Sequence, residues 1–186
     1  NKKLAVIAEI KLKSPSITEG VVLGDKANIE RRAFRYEEAG ADAISIITEP
    51  HFFNGDISFV TQIKKVVNLP ILQKDFVIDA SQIYEAKALG SDALLLIARL
   101  VDTATLQKFV SLAQELGVEP VVEINDEDDL EKALATTTAI IAVNARDPAL
   151  GNEGGDVSAE PHGATHVTGG GALFEFVALQ PFGHQA

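Results

Sequence analysis

The chain has 186 residues, 46% hydrophobic and 23% charged, with a formal net charge of -11, the size and make-up of one globular domain with a substantial core. The acidic balance argues against nucleic acid or an anionic membrane surface as the main partner, since both need basic patches, and admits a small anionic substrate only where a few Lys and Arg gather in a pocket. The absence of cysteine excludes disulfides, thiolate metal sites and a cysteine nucleophile, and no stretch reads as a transmembrane span or a cleavable signal, so a cytoplasmic location is expected.

Short apolar runs alternate with longer segments of helical period. In chain order the predicted strands are Leu4–Lys11, Ala41–Thr48, Ile71–Lys74, Ala93–Ala98, Pro120–Ile124 and Ala139–Asn144. Between them lie predicted helices at Lys26–Ala39, Ile57–Val67, Ala80–Leu89, Thr103–Leu116 and Glu127–Leu134. Ile57, Val60, Ile63 and Val67, three or four apart, form an amphipathic stripe. Asp79 and Asp102 stand where N-caps belong, and Gly40, Gly90 and Gly117 where a left-handed C-terminal residue belongs. A weak internal repeat runs through "EAGADAISI" (38–46), "ALGSDALLLI" (88–97) and "ELGVEPVVEI" (115–124). Each is a helix end, a glycine and a buried strand.

Strands this uniformly apolar suit a parallel sheet covered on both faces, which leaves a (β/α)8 barrel or an open doubly wound sheet. The polar residues favour the barrel. Glu9 and Lys11 end the first strand, Thr48 and Glu49 the second, and Lys74 the third; Arg99 follows the fourth. Glu123 and Asn125 end the fifth, and Asn144 and Arg146 the sixth. A doubly wound sheet gathers its ligand groups at one switch point behind a glycine-rich turn, whereas a barrel draws them from every strand's C-terminal end. No GxGxxG follows the first strand.

Taken singly, Glu49, Asp75 and Arg99 read as solvated loop residues. The i, i+2 pairs Glu9/Lys11, Glu123/Asn125 and Asn144/Arg146 are different, because strand alternation sends both members of each pair to one face. Burying three such pairs requires mutual pairing or a ligand; a structural salt-bridge network and an active site both satisfy that condition. Two lysines and a glutamate around one pocket suit acid–base chemistry on an anion. Phe52, Phe53 and Phe76 fall on loops after the second and third strands, as loop-packing aromatics or as the lining of an aromatic site.

"IAEIKLKSPS" (7–16), "FFNG" (52–55), "PILQKDFVID" (70–79), "VEIND" (122–126) and "VNARD" (143–147) closely resemble indole-3-glycerol phosphate synthase, over residues 4–147 and in the right order. The resemblance implies a (β/α)8 TIM barrel, a carboxy-lyase of tryptophan biosynthesis, and 1-(2-carboxyphenylamino)-1-deoxyribulose 5-phosphate as substrate. That small phosphosugar–anthranilate molecule would undergo ring closure, decarboxylation and dehydration. By motif, Lys74 corresponds to the general acid that protonates the substrate carbonyl oxygen, and Glu123 to the general base of the dehydration. Lys11 corresponds to the lysine that contacts the substrate carboxylate, with the division of steps between the two lysines left open. Glu9, Asn125 and Asn144 match orienting polar residues, Ser14 the turn serine near the ligand, and Phe53 and Phe76 the aromatic pocket; Arg146 lies within a matched motif. The resemblance implies no metal and no organic cofactor, no nucleic acid or membrane partner, and a monomer or weak homodimer.

Residues 148–186 depart from the family. They are rich in Gly, Pro and small polar residues and lack the family's Glu-Ser-Gly motif. "GATHVTGGGAL" (163–173) faintly resembles the family's phosphate loop, which makes Gly169 and Gly170 weak phosphate-binding candidates beside the reading as a flexible linker. His162 and His166, flanked by Pro161 and Gly163, read as surface residues rather than a zinc pair. Residues 1–186 are thus expected to form one barrel domain with units one to six recognisable through residue 147. A barrel of this kind needs roughly 200 residues or more, and the chain starts at Asn1 without Met, so a truncated, misrecorded or rebuilt chain is expected. The alternatives to the lyase are an inactive barrel fragment and another phosphosugar barrel such as a phosphoribosyl isomerase.

Overall fold

The computed structural model describes residues 5–14 and 24–144. Six strands form one parallel sheet in sequence order: β1 (Ile7–Ile10), β2 (Ala43–Ile47), β3 (Ile71–Lys74), β4 (Ala93–Ile97), β5 (Glu119–Ile124) and β6 (Ile140–Val143). The connecting helices are α1 (Ile29–Glu38), α2 (Pro50–Phe53), α3 (Ser58–Lys64), α4 (Ala80–Leu89), α5 (Thr103–Glu115) and α6 (Glu127–Leu134). A strictly sequential, all-parallel order in which helices connect successive strands is, among the described residues, that of a (β/α)8 barrel, of which these are six units. The doubly wound alternative fails because the strand order does not reverse among the described residues.

The helices begin where the sequence supplies caps. At α4, Asp79 accepts from the Ser81 backbone N–H, and Gln82 closes a reciprocal capping box. Asp102 and Asp126 cap α5 and α6 through the Thr105 and Asp129 N–H groups. Gly40, Gly90 and Gly117 all have positive φ, so the repeated glycine marks the left-handed turn from each helix into the next strand. The predicted helix over 26–39 splits: Asp25 caps a 3₁₀ turn at Lys26–Asn28, and the α-helix starts at Ile29.

Strand alternation builds two layers. Outward residues such as Ile44, Ile46, Ile71, Leu94, Leu96 and Val122 pack against the helices, with Val60, Ile63 and Val67 of the predicted stripe among the buried residues and Phe59 beside them. Each large side chain buried there contributes about 1.5–3 kcal/mol. The inward face carries a smaller apolar cluster of Leu72, Leu95, Val121 and Ala142. Two residues further along the same strands, on the same inward face, stand Lys74, Ile97, Glu123 and Asn144. An apolar floor therefore gives way at the strands' C-terminal ends to a rim that is polar except at Ile97.

Candidate active site

On one side of the rim, Glu9 joins two lysines. Its Oε1 lies 3.2 Å from Lys11 Nζ, and its Oε2 accepts a hydrogen bond from Lys74 Nζ at 3.0 Å. Lys11 and Lys74 are 6% and 4% exposed, so both ammonium groups lie in a site from which most water is excluded. There Coulomb attraction is far stronger than at the surface. Backbone props hold this geometry. Tyr36 of α1 donates its hydroxyl to the Glu9 carbonyl at 3.2 Å, and Arg32 reaches the Lys11 carbonyl at 3.4 Å. The Thr48 N–H bonds the Lys74 carbonyl at 2.9 Å, while its hydroxyl donates to Asp75 at 2.6 Å.

A second group sits on β5 and β6. Glu123 is buried, and its Oε1 accepts from Asn144 Nδ2 at 3.1 Å. Asn125 Nδ2 donates to the Asn144 carbonyl at 3.3 Å, and its backbone N–H donates to Asp129 at 3.1 Å. Buried Asp129 also accepts from Arg99 Nε at 3.1 Å, and Arg99 pairs with Asp126 at 3.0 Å. Arg99 is thus a brace between the loops after β4 and β5 rather than a free solvated charge, and it anchors the loop that carries Asn125.

The aromatic residues meet at the mouth. Phe76 lies 6.2 Å, centroid to centroid, from both Phe52 and Phe53, edge-on to the first and tilted to the second, the geometry that ring quadrupoles favour. Phe52 and Phe53 are on the one-turn helix α2, not on a loop. Glu49 corrects a second expectation: it is buried, and its carboxylate caps that helix. The sequence signal was Pro50, since proline is favoured at the first helical position. Asp75 is half-buried and engaged by Thr48 rather than solvated.

Ser14 is buried at the end of the segment that follows β1. Arg146, Gly169, Gly170, His162 and His166 lie outside the described residues. Among the described residues no group of three His, Cys, Asp or Glu is arranged to hold a metal ion, and no helix is long and apolar enough to cross a membrane.

A family model described as indole-3-glycerol phosphate synthase matches residues 1–150. The chain belongs to the indole-3-glycerol phosphate synthase family. Relatives named indole-3-glycerol phosphate synthase include that of Campylobacter hominis, 44% identical over 147 residues, which covers 79% of this chain and 55% of the relative. The protein of Desulfotalea psychrophila is 43% identical over 143 residues, covering 77% of this chain and 54% of the relative. The chain therefore spans about half the length of the curated synthases it matches. Among solved structures, the N-acetylmannosamine-6-phosphate 2-epimerase from Clostridium perfringens superposes with a TM-score of 0.55 at 14% identity, over 74% of this chain and 60% of that one. At that identity the likeness is one of fold alone.

Proposed function

We propose that the strand-end site catalyses formation of indole-3-glycerol phosphate from 1-(2-carboxyphenylamino)-1-deoxyribulose 5-phosphate. The observation that carries this reading is the Glu9–Lys74 ion pair, a buried ammonium against a partly buried carboxylate on inward-facing strand ends, in a chain of the synthase family. Lys74 donates its proton to the ketone oxygen while the ring carbon bearing the carboxylate attacks the ketone carbon. The new C–C bond leaves a hydroxyl on the sugar carbon and an iminium in the ring. Carbon dioxide then departs, and the C–C electron pair it leaves neutralises that iminium, so the intermediate is its own electron sink. The hydroxyl then leaves as water, taking a proton from a lysine ammonium, while Glu123 accepts the proton from the ring carbon beside the nitrogen, which completes the indole.

Chain residues divide this work by position. An ammonium aimed at a developing alkoxide supplies both charge and proton, more strongly where water is excluded. Glu9 holds Lys74 in that role, and Lys11, on the same carboxylate, faces the substrate carboxylate. Asn144 orients Glu123, Asn125 fixes Asn144, Ser14 and Arg146 contact the substrate, and Phe53 and Phe76 pack on its ring. Gly169 and Gly170 are the candidates for its phosphate. The cytoplasm, where such small phosphosugars are made, is the proposed location, with the chain acting as a single barrel domain, a monomer or weak homodimer.

The test is stoichiometry. Incubation of the protein with the carboxyphenylamino-deoxyribulose phosphate should release one equivalent of carbon dioxide per indole-3-glycerol phosphate formed. Folded protein that yields neither product rejects the reading in favour of an inactive barrel fragment.

A further inference from the structure

Glu49 has a burial that the proposed chemistry does not use. It is 5% exposed, and among the described residues it makes no ion pair. Burying a carboxylate is costly unless donors replace its water. Here all the replacement comes from one helix: Oε1 accepts from the His51 N–H at 2.8 Å, and Oε2 from the Phe52 and Phe53 N–H groups at 2.7 and 3.2 Å. A four-residue helix has no stability of its own, and this cap satisfies three of its backbone N–H groups. The chain leaves α2 through Asn54, at φ 55, and returns to the strand end where the Gly55 N–H donates to the Glu49 carbonyl at 2.8 Å. Residue 49 thus both opens and closes the loop that carries Phe52 and Phe53.

We propose that Glu49 is a positioning residue for ring recognition: by capping α2 it sets Phe52 and Phe53 against Phe76 and thereby the affinity of the site for an aminobenzoate ring. This rests on the functional reading above in one respect, the ring that the wall receives. Lys74 and Glu123 stand on other strands with their own supports, so loss of the cap acts on binding before chemistry. Aspartate at position 49 keeps two carboxylate acceptors and is itself a favoured N-cap, so it should restore what alanine removes.

Three readouts test this on the full chain, at a temperature where circular dichroism shows each variant folded. Anthranilate, fluorescent in its own right, serves as the ring probe. Glu49→Ala should weaken anthranilate binding roughly tenfold, Glu49→Asp should stay within about threefold of the parent, and Glu49→Ala combined with Phe53→Ala should lose little more than either alone. Proton NMR should show Phe52–Phe76 and Phe53–Phe76 ring contacts in the parent and in Glu49→Asp, but not in Glu49→Ala. In turnover, KM should rise with kcat nearly constant. Full additivity of the two alanine variants, unchanged ring contacts in Glu49→Ala, no anthranilate binding by the parent, or a fall in kcat at constant KM would each overturn the proposal. A parent that binds anthranilate and responds to Glu49→Ala, yet makes no indole, would leave this proposal standing while rejecting the synthase reading.

Discussion

Lys74 on β3 donates a 3.0 Å hydrogen bond to Glu9 on β1, with β2 lying between the two strands. The contact exists because strand alternation turns both residues inward at the same end of a curved sheet. It makes Glu9 a carboxylate shared by two buried ammonium groups.

Replacing that carboxylate with an amide removes the charge and keeps the shape. Glu9→Gln should lower kcat by roughly 100-fold through loss of the lysine's orientation. It should also destabilise the fold by about 3 kcal/mol, because it leaves two buried ammonium groups uncompensated. Urea unfolding and indole formation, measured on the same preparation, check both.

Gly55 is a steric necessity. A Cβ built there would lie 2.5 Å from the Thr48 carbonyl carbon and 2.7 Å from the Ile47 and Glu49 carbonyl oxygens, all backbone atoms that cannot swing aside. Gly55→Ala should cost about 3 kcal/mol of stability by overpacking, read as a lower urea midpoint. A neighbouring change such as Asn54→Gly, at a residue already in the left-handed region, should be nearly neutral.

Ser45 lies fully buried on β2, and its hydroxyl has no hydrogen-bond partner among the described residues. A buried donor without an acceptor pays its desolvation unrelieved. Ser45→Ala should therefore stabilise the protein by about 1 kcal/mol, raising the thermal midpoint without loss of fold.

Acid sensitivity follows from the caps. The Ser81 side-chain and backbone hydrogen bonds hold the Asp79 carboxyl below the ordinary aspartate range, the Thr105 N–H does the same for Asp102, and the Ser58 hydroxyl and N–H for Asp56. A carboxyl whose folded pKa is depressed contributes stability above its unfolded pKa, and that contribution is lost as pH falls through the folded value. The urea midpoint should hold from pH 7 to 5 and decline below about pH 4. Asp79→Asn, which still accepts from the Ser81 N–H, should flatten part of that decline.

Legibility in the sequence followed the reach of the forces involved. β3, α4 and α6 match their expected limits at Ile71–Lys74, Ala80–Leu89 and Glu127–Leu134, because local alternation, helical period and caps such as Asp79 specify them. The inward face was legible too, since Glu9/Lys11 and Glu123/Asn125 inherit it from strand parity. Partners across the sheet were not: nothing near Lys74 announces a contact with Glu9, 65 residues away. The props from Tyr36 and Arg32 to backbone carbonyls leave no pattern, because a carbonyl is the same at every position. The helix α2 escaped detection because one turn has no period to detect, and its cap is a glutamate rather than a short polar residue.

The most direct test of the central claim uses the chain's own spectroscopic silence. With no Trp and two Tyr, it offers little background to newly formed indole. Protein mixed with the carboxyphenylamino-deoxyribulose phosphate should develop indole emission, and Lys74→Ala or Glu123→Gln should reduce its rate by roughly 100-fold or more while the variants remain folded. Indole emission that develops equally fast in Lys74→Ala, or none at all from the folded parent, would contradict the account.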